Sequence, residues 1–201
     1  MKITIQIEKI LTKKIFNPAC WFLLFLITGC SQPYEFNGTL YNPPISAPDI
    51  PGVNWDGESF RMDNLEGTVA VLFFGYINCP DICPMTLSEM KIVATELGQE
   101  ANEVSFVFIT VDPERDTLER LAEYIPGFSD KFYGIYVPEK LLEEVKKGYG
   151  VYSELNPKNP YFVDHTGGVY IVDRQGELRL LYGQNPLAEM MTPDIQYLLS
   201  Q

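Results

Sequence analysis

Two cysteines with three residues between them, in Cys79-Pro-Asp-Ile-Cys83-Pro84, and the chain's single histidine, His165, are the side chains best suited to thiol or metal chemistry. Two neighbouring thiolates can exchange with disulfides or bind a soft metal, and spacing alone does not choose between these. A structural disulfide across so few residues would constrain the unfolded chain little. Two inert buried cysteines are the bland alternative, and the proline-flanked setting argues against it. A lone histidine is more often a surface or satisfied core residue than a ligand, so the role of His165 depends on where the fold puts it.

The elements that position these groups follow from the hydrophobic pattern. Residues 69–74 are continuously apolar and rich in branched and aromatic side chains, which predicts a central strand buried on both faces and aimed at Cys79. Leu87, Met90, Val93, Ala94 and Leu97 recur at helical spacing, predicting a helix that Gly98 ends. The cysteine pair therefore falls between a strand end and a helix start, where free backbone N–H groups and the helix dipole favour thiolates. Pro84 suits a first helical turn and disfavours helical geometry just before it, which predicts Cys83 at about the helix cap and Cys79 in the preceding loop.

A second buried strand over 104–111 completes a β-α-β unit, for which a right-handed parallel crossover is expected. Helices are predicted over 116–124 and over 139–147, the latter ending at Gly148, with a strand over 132–137 between them. Residues 168–172 and 177–182 flank Asp173-Arg-Gln-Gly176 as an antiparallel hairpin. Thr192-Pro-Asp can cap a last short helix, and residues 55–60 read as a small hairpin turning at Asp56-Gly57. This order predicts an α/β, thioredoxin-like fold, with a central mixed sheet flanked by helices and an N-terminal hairpin. In such a topology His165 lies just before the hairpin, on the loop that faces the cysteine helix. Two thiolates and an imidazole there make a trigonal site that suits Cu(I) and accepts Cu(II) with an added oxygen ligand, whereas a closed zinc site normally has four ligands. Asp81 and Asp164 read mainly as solvated carboxylates, with support of the ligands as the alternative.

Composition sets the frame. Hydrophobic residues make up 46% and charged residues 21% of 201, as in one soluble domain with flanking segments. Residues 1–29 read as an export segment, because Lys9, Lys13 and Lys14 precede an apolar run too short to remain as a membrane span. Ile27-Thr-Gly-Cys30 resembles the lipobox of bacterial lipoproteins, so Cys30 is expected to carry the lipid that holds the chain to a membrane at the cell envelope. Cleavage would also remove Cys20. It would take away four lysines and one glutamate, moving the net charge from −12 to −15, and nucleic acid is an unsuitable partner for such a surface. Residues 30–51, with five prolines after position 32, read as an extended tether, and residues 52–201 as the folded domain.

Three segments carry a specific resemblance. Phe74-Gly-Tyr-Ile-Asn-Cys79-Pro-Asp-Ile-Cys83-Pro, Thr110-Val-Asp-Pro-Glu-Arg-Asp-Thr117 and Val163-Asp-His165-Thr resemble, in order, the signature segments of the Sco/SenC family. The resemblance implies a thioredoxin-like fold and copper held by Cys79, Cys83 and His165. It also implies a role in assembling the dinuclear copper centre of cytochrome c oxidase, with an oxidase subunit as copper acceptor. Ile77 stands where the family often has Thr, and Thr166 where Ser is frequent; neither change removes a ligand. Within 111–117, a contact between Asp112 and Arg115 is expected to fix the loop beside the site.

The leading expectation is thus a copper metallochaperone. The alternative is a thiol-disulfide reductase acting on the cysteines of a copper-receiving protein, in need of its own thiol reductant. A peroxiredoxin-like activity fits less well, since Tyr76 occupies the position of that family's Thr.

Overall fold

Branched and aromatic residues build the middle of the molecule. The computed structural model describes residues 33–201, so the export segment and Cys30 lie outside the described residues. Two strands, β4 (Val69–Gly75) and β5 (Val104–Thr110), are buried along their whole length and run parallel, with Val69 opposite Val104 and Gly75 opposite Thr110. Side chains on both faces of these strands meet protein, which explains why the sequence shows no polar alternation there. Beyond β5 lies β6 (Tyr133–Tyr136), also parallel, followed by the antiparallel pair β2 (Gly52–Asn54) and β3 (Ser59–Phe60). On the other side of β4 come β9 (Val169–Val172), β10 (Glu177–Tyr182) and β1 (Thr39–Ser46), all antiparallel to their neighbours. The sheet order is β1-β10-β9-β4-β5-β6-β2-β3, a mixed sheet as expected.

Helices cover the sheet. α1 (Ile82–Leu97) leaves the end of β4 and stops at Gly98, whose φ of 56° lies in the left-handed region. α2 (Leu118–Tyr124) starts at Thr117, whose side chain accepts from the Arg120 N–H as a cap. α3 (Glu139–Tyr149) carries Lys146 and Lys147 in its last turn, where they complement its dipole, and α4 (Ala188–Leu199) is the last element. Phe73 and Phe108 face the α1 and α2 side, where Tyr124 meets Phe108. Phe74 points to the opposite side and packs against Tyr149 of α3 and against Tyr170. Glutamates of α1 bind α4 directly: Glu89 accepts from the Ala188 N–H at 2.8 Å and Glu96 from the Thr192 hydroxyl at 2.6 Å.

Four local readings differ from the sequence expectation. The stretch taken as tether contains β1, so the sheet starts at Thr39; its prolines are accommodated by a register shift between Leu40 and Ile45 at the sheet edge. α3 runs past Gly148 to a left-handed Gly150, because Tyr149 still buries its ring. α4 begins at Ala188 rather than at Thr192, whose hydroxyl is committed to Glu96. A separate two-stranded ribbon, β7 (Ser153–Leu155) with β8 (Val163–His165), was not expected. The Asp56-Gly57 and Asp173–Gly176 turns form as read, the latter with Asp173 Oδ1 accepting from the Gln175 and Glu177 N–H groups.

Asp194 of α4, wholly buried, fastens the start of β1. Its carboxylate accepts from the backbone N–H of Asn37 (2.9 Å) and Gly38 (3.1 Å), the Asn37 side-chain amide and the Tyr182 hydroxyl. Replacing Asp194 by Ala removes this acceptor from all four donors, the buried Tyr182 hydroxyl among them. Urea unfolding of Asp194→Ala should show a loss of about 3 kcal/mol, with faster proteolysis within residues 33–46; an unchanged midpoint and cleavage pattern would refute the fastening role.

Candidate metal centre

The cysteine pair is built on the junction between β4 and α1. Cys83 lies in the first turn of α1, two positions after the Asp81 cap, rather than at the cap itself. The first helical N–H groups need no intrahelical acceptor, so Pro84 leaves no bond broken and the helix starts earlier than the proline suggested. Cys83 is completely buried, with its sulfur over Gly75, where an added Cβ would come within 2.9 Å of Sγ and 2.8 Å of the Phe108 ring. Only glycine leaves room for this thiol at the end of β4. Cys79 sits in the loop, half-buried, and its sulfur receives the Cys83 N–H at 3.4 Å.

His165, at the end of β8, comes to the same place. Its Nε2 lies 3.5 Å from Cys83 Sγ, and Nδ1 lies 3.0 Å from the Thr166 carbonyl oxygen. A carbonyl accepts only, so Nδ1 carries a proton and Nε2 is the ring nitrogen that faces the sulfurs. The Tyr76 ring stands edge-on to the imidazole at 5.6 Å and Phe73 flanks it at 6.4 Å. The three donor atoms lie within 4.8 Å of one another, the one such group with three or more His, Cys, Asp or Glu donors among the described residues. Asp81 and Asp164 are exposed; the Asn156 amide donates to both oxygens of Asp164, and the imidazole takes its orientation from Thr166 instead.

The two thiols are electrostatically unequal. The Cys83 thiol, with His165 and the N–H groups of Asp81 and Cys83, donates to Cys79 and pulls its pKa down to about 3 against the opposing effect of burial. Cys83 moves strongly upward, because its proton is held against the Cys79 thiolate and because it is buried. The apo pair is therefore a thiolate and a thiol sharing one proton. Two soft sulfurs and one oriented imidazole nitrogen fit a trigonal soft-metal site.

The segment after β5 supports both halves of this group. Buried Asp116 accepts from the Ile77 N–H (3.0 Å) in the cysteine loop and from the Thr110 hydroxyl (2.7 Å) at the end of β5. Burial outweighs these donors and raises its pKa. Arg120 donates to the Asn78 side chain at 2.8 Å, next to Cys79. Arg115 pairs with Asp112 at 2.6 Å, as the sequence suggested, and also reaches the carbonyls of Pro160 and Tyr161. Sequence reasoning gave no site role to Gly75, Asn78, Asp116 and Arg120, although Gly75 and Asn78 stand in the first signature segment and Asp116 in the second, whose density of charged and hydroxyl residues was the physical signal.

Exposure and charge single out Cys79 as the first thiol to react. Iodoacetamide should label Cys79 well before Cys83, as read by peptide mass spectrometry. Because its pKa is held near 3, the labelling rate should stay level from pH 8 to pH 5, whereas an ordinary thiol would slow by about 10-fold per unit below pH 8. Labelling of Cys83 first, or a rate that falls with pH, would refute this charge assignment.

Comparison with known proteins gives a consistent result. The family model described as SCO1/SenC matches residues 48–200. An SCO2-like protein of Rickettsia prowazekii is 37% identical over 128 residues, spanning 62% of each chain. An SCO2-like protein of Rickettsia conorii is 29% identical over 199 residues, 95% of this chain and 97% of the relative. Among solved structures, that of Bradyrhizobium japonicum ScoI with copper bound superposes with a TM-score of 0.71 at 30% identity, covering 77% of this chain and 100% of the other. With the match spanning three quarters of its length and the thioredoxin-like fold in common, the chain belongs to the SCO1/SenC family.

Proposed function

We propose that this protein is a copper metallochaperone that binds copper through Cys79, Cys83 and His165 and delivers it to a respiratory oxidase, in assembly of the dinuclear copper centre of cytochrome c oxidase. The observation that carries this reading is the convergence of two sulfurs and one imidazole nitrogen within 4.8 Å. Copper in the related ScoI structure and the family resemblance support it. Cu(I) takes the trigonal set as it stands; Cu(II) takes it with an oxygen ligand added.

The exposures of the donors favour transfer over storage. Cys79 and His165 line an open cleft of about 380 Å³ together with Tyr76, Pro80, Ile82 and Phe162, while Cys83 lies beneath it. An acceptor's ligand therefore reaches the metal on the Cys79 and His165 side, and Cys83 is the last bond to break. Asp81 and Asp164 lie at the cleft and no lysine or arginine among the described residues lines it, which suits a basic acceptor surface. The acceptor's cysteines must be reduced before loading. The thiolate and thiol of the pair suit a second role as a thiol-disulfide reductase on that acceptor: one cysteine attacks the disulfide and the other resolves the mixed disulfide.

Attachment at Cys30 on the extracytoplasmic membrane face belongs to the same reading; among the described residues no helix is long and apolar enough to cross a membrane. Cys30→Ser should shift the protein from the membrane to the soluble fraction, and unchanged fractionation would remove the lipid anchor from the proposal.

Copper titration of the reduced protein against a competing chelator tests the site. The expected result is one tight Cu(I) per chain, lost or severely weakened in each of Cys79→Ser, Cys83→Ser and His165→Ala. Absence of tight copper in the wild type would reject the chaperone and leave thiol exchange as the function to measure.

A further inference from the structure

The three donors are not held alike. Cys79 and Cys83 ride on the β4–α1 junction, which is continuous with the eight-stranded sheet. His165 ends β8, and β8 pairs only with β7, in a ribbon that shares no ladder with that sheet. Its place over the sulfurs therefore rests on side-chain contacts and on the chain running on to β9. Lys146 donates to the Ser153 carbonyl at 3.2 Å at the β7 end, and the Thr166 hydroxyl accepts from the Tyr152 N–H at 3.0 Å.

Beside buried Val163 and the rings on the imidazole, a further anchor is Arg115. One nitrogen, Nη1, donates to the carbonyls of both Pro160 (3.1 Å) and Tyr161 (2.9 Å), in the turn that leads into β8. Nε is fixed at 2.6 Å by Asp112, which is itself mostly buried and takes its N–H to the Thr110 hydroxyl. The neighbouring Asp116 holds the cysteine loop through Ile77. One short segment thus indexes the histidine ribbon against the cysteine loop. The guanidinium retains a cost in this role, because Nη2 is buried without a partner.

We infer that Arg115 is a positioning residue for His165: by clamping the turn ahead of β8 it holds the imidazole over the two sulfurs, and without it the donor group is reduced to the two sulfurs. Lysine keeps the charge beside Asp112 but lacks the planar fork that reaches two carbonyls while bound to the carboxylate. The inference rests on the proposed copper site only for its consequence in metal binding; the clamp itself is a property of the apo protein.

The test uses the full chain in detergent, as wild type, Arg115→Gln, Arg115→Lys, His165→Ala and the Arg115→Gln/His165→Ala double variant. His165 is the chain's one histidine, so diethylpyrocarbonate modification of the metal-free, thiol-blocked protein reports on it alone. The expected result is imidazole modification several-fold faster in Arg115→Gln than in wild type, with Arg115→Lys between them. Cu(II) affinity should fall about 10- to 100-fold in Arg115→Gln, Cu(I) affinity should fall less because both sulfurs still hold the metal, and the double variant should match His165→Ala. Equal modification rates in folded wild type and Arg115→Gln would overturn the clamp, as would additive losses in the double variant. If Arg115→Gln does not fold, the comparison of Arg115→Lys with wild type decides by the same two readouts. A wild type that binds no copper would reject the proposed function, while the modification rates would still decide the clamp.

Discussion

The seat of the Cys83 sulfur on Gly75 is the contact from which the rest of the site takes its position. β4 must end there without a side chain, α1 must begin within a few residues, and the loop between them has no choice but to lift Cys79 to the rim. Burial of one sulfur and partial exposure of the other follow from that single close approach. So does their division into thiol and thiolate, since the buried sulfur is the poorer place for a charge.

Around this fixed point the molecule divides its labour. The sheet and α1 supply rigidity through fully buried apolar strands, whose packing tolerates little displacement. The ribbon that carries His165 shares no ladder with that sheet and is held by buried Val163, by the Tyr76 and Phe73 rings against the imidazole and by a few polar contacts, which are directional and individually modest. A metal site assembled from one stiff and one lightly held half can keep its geometry and still exchange ligands. The Thr110–Arg120 region sits between the halves and touches both, which accounts for its crowding with Asp, Arg and Thr where no donor atom of the three-residue group is found.

Much of this was legible in the sequence, for identifiable reasons. β4, β5 and α1 announce themselves because burial on two faces or one leaves a periodic trace, and the Asp173–Gly176 turn because its residues have few other conformational uses. Cys79, Cys83 and His165 stood out by chemistry, and the order of elements was enough to bring them together. β1 was obscured by Pro43 and Pro44, which read as breakers when only an edge strand can hold them. The β7–β8 ribbon is short and polar, with prolines at 157 and 160 nearby, so neither periodicity nor composition marks it. The grip of Arg115 on backbone carbonyls, and of Asp116 on a backbone amide, leaves no partner side chain to be found in sequence at all.

The placement of those prolines in β1 also bears on how the protein behaves in company. A sheet edge normally offers a row of unpaired N–H and C=O groups to any passing strand. Here one border is β1, where Pro43 and Pro44 carry no N–H and the register is broken between Leu40 and Ile45; the other is β3, only two residues long. Neither border templates a further strand. A protein with reactive thiols is thereby spared edge-to-edge polymerisation, and its encounters are left to the end of the molecule where the sulfurs are.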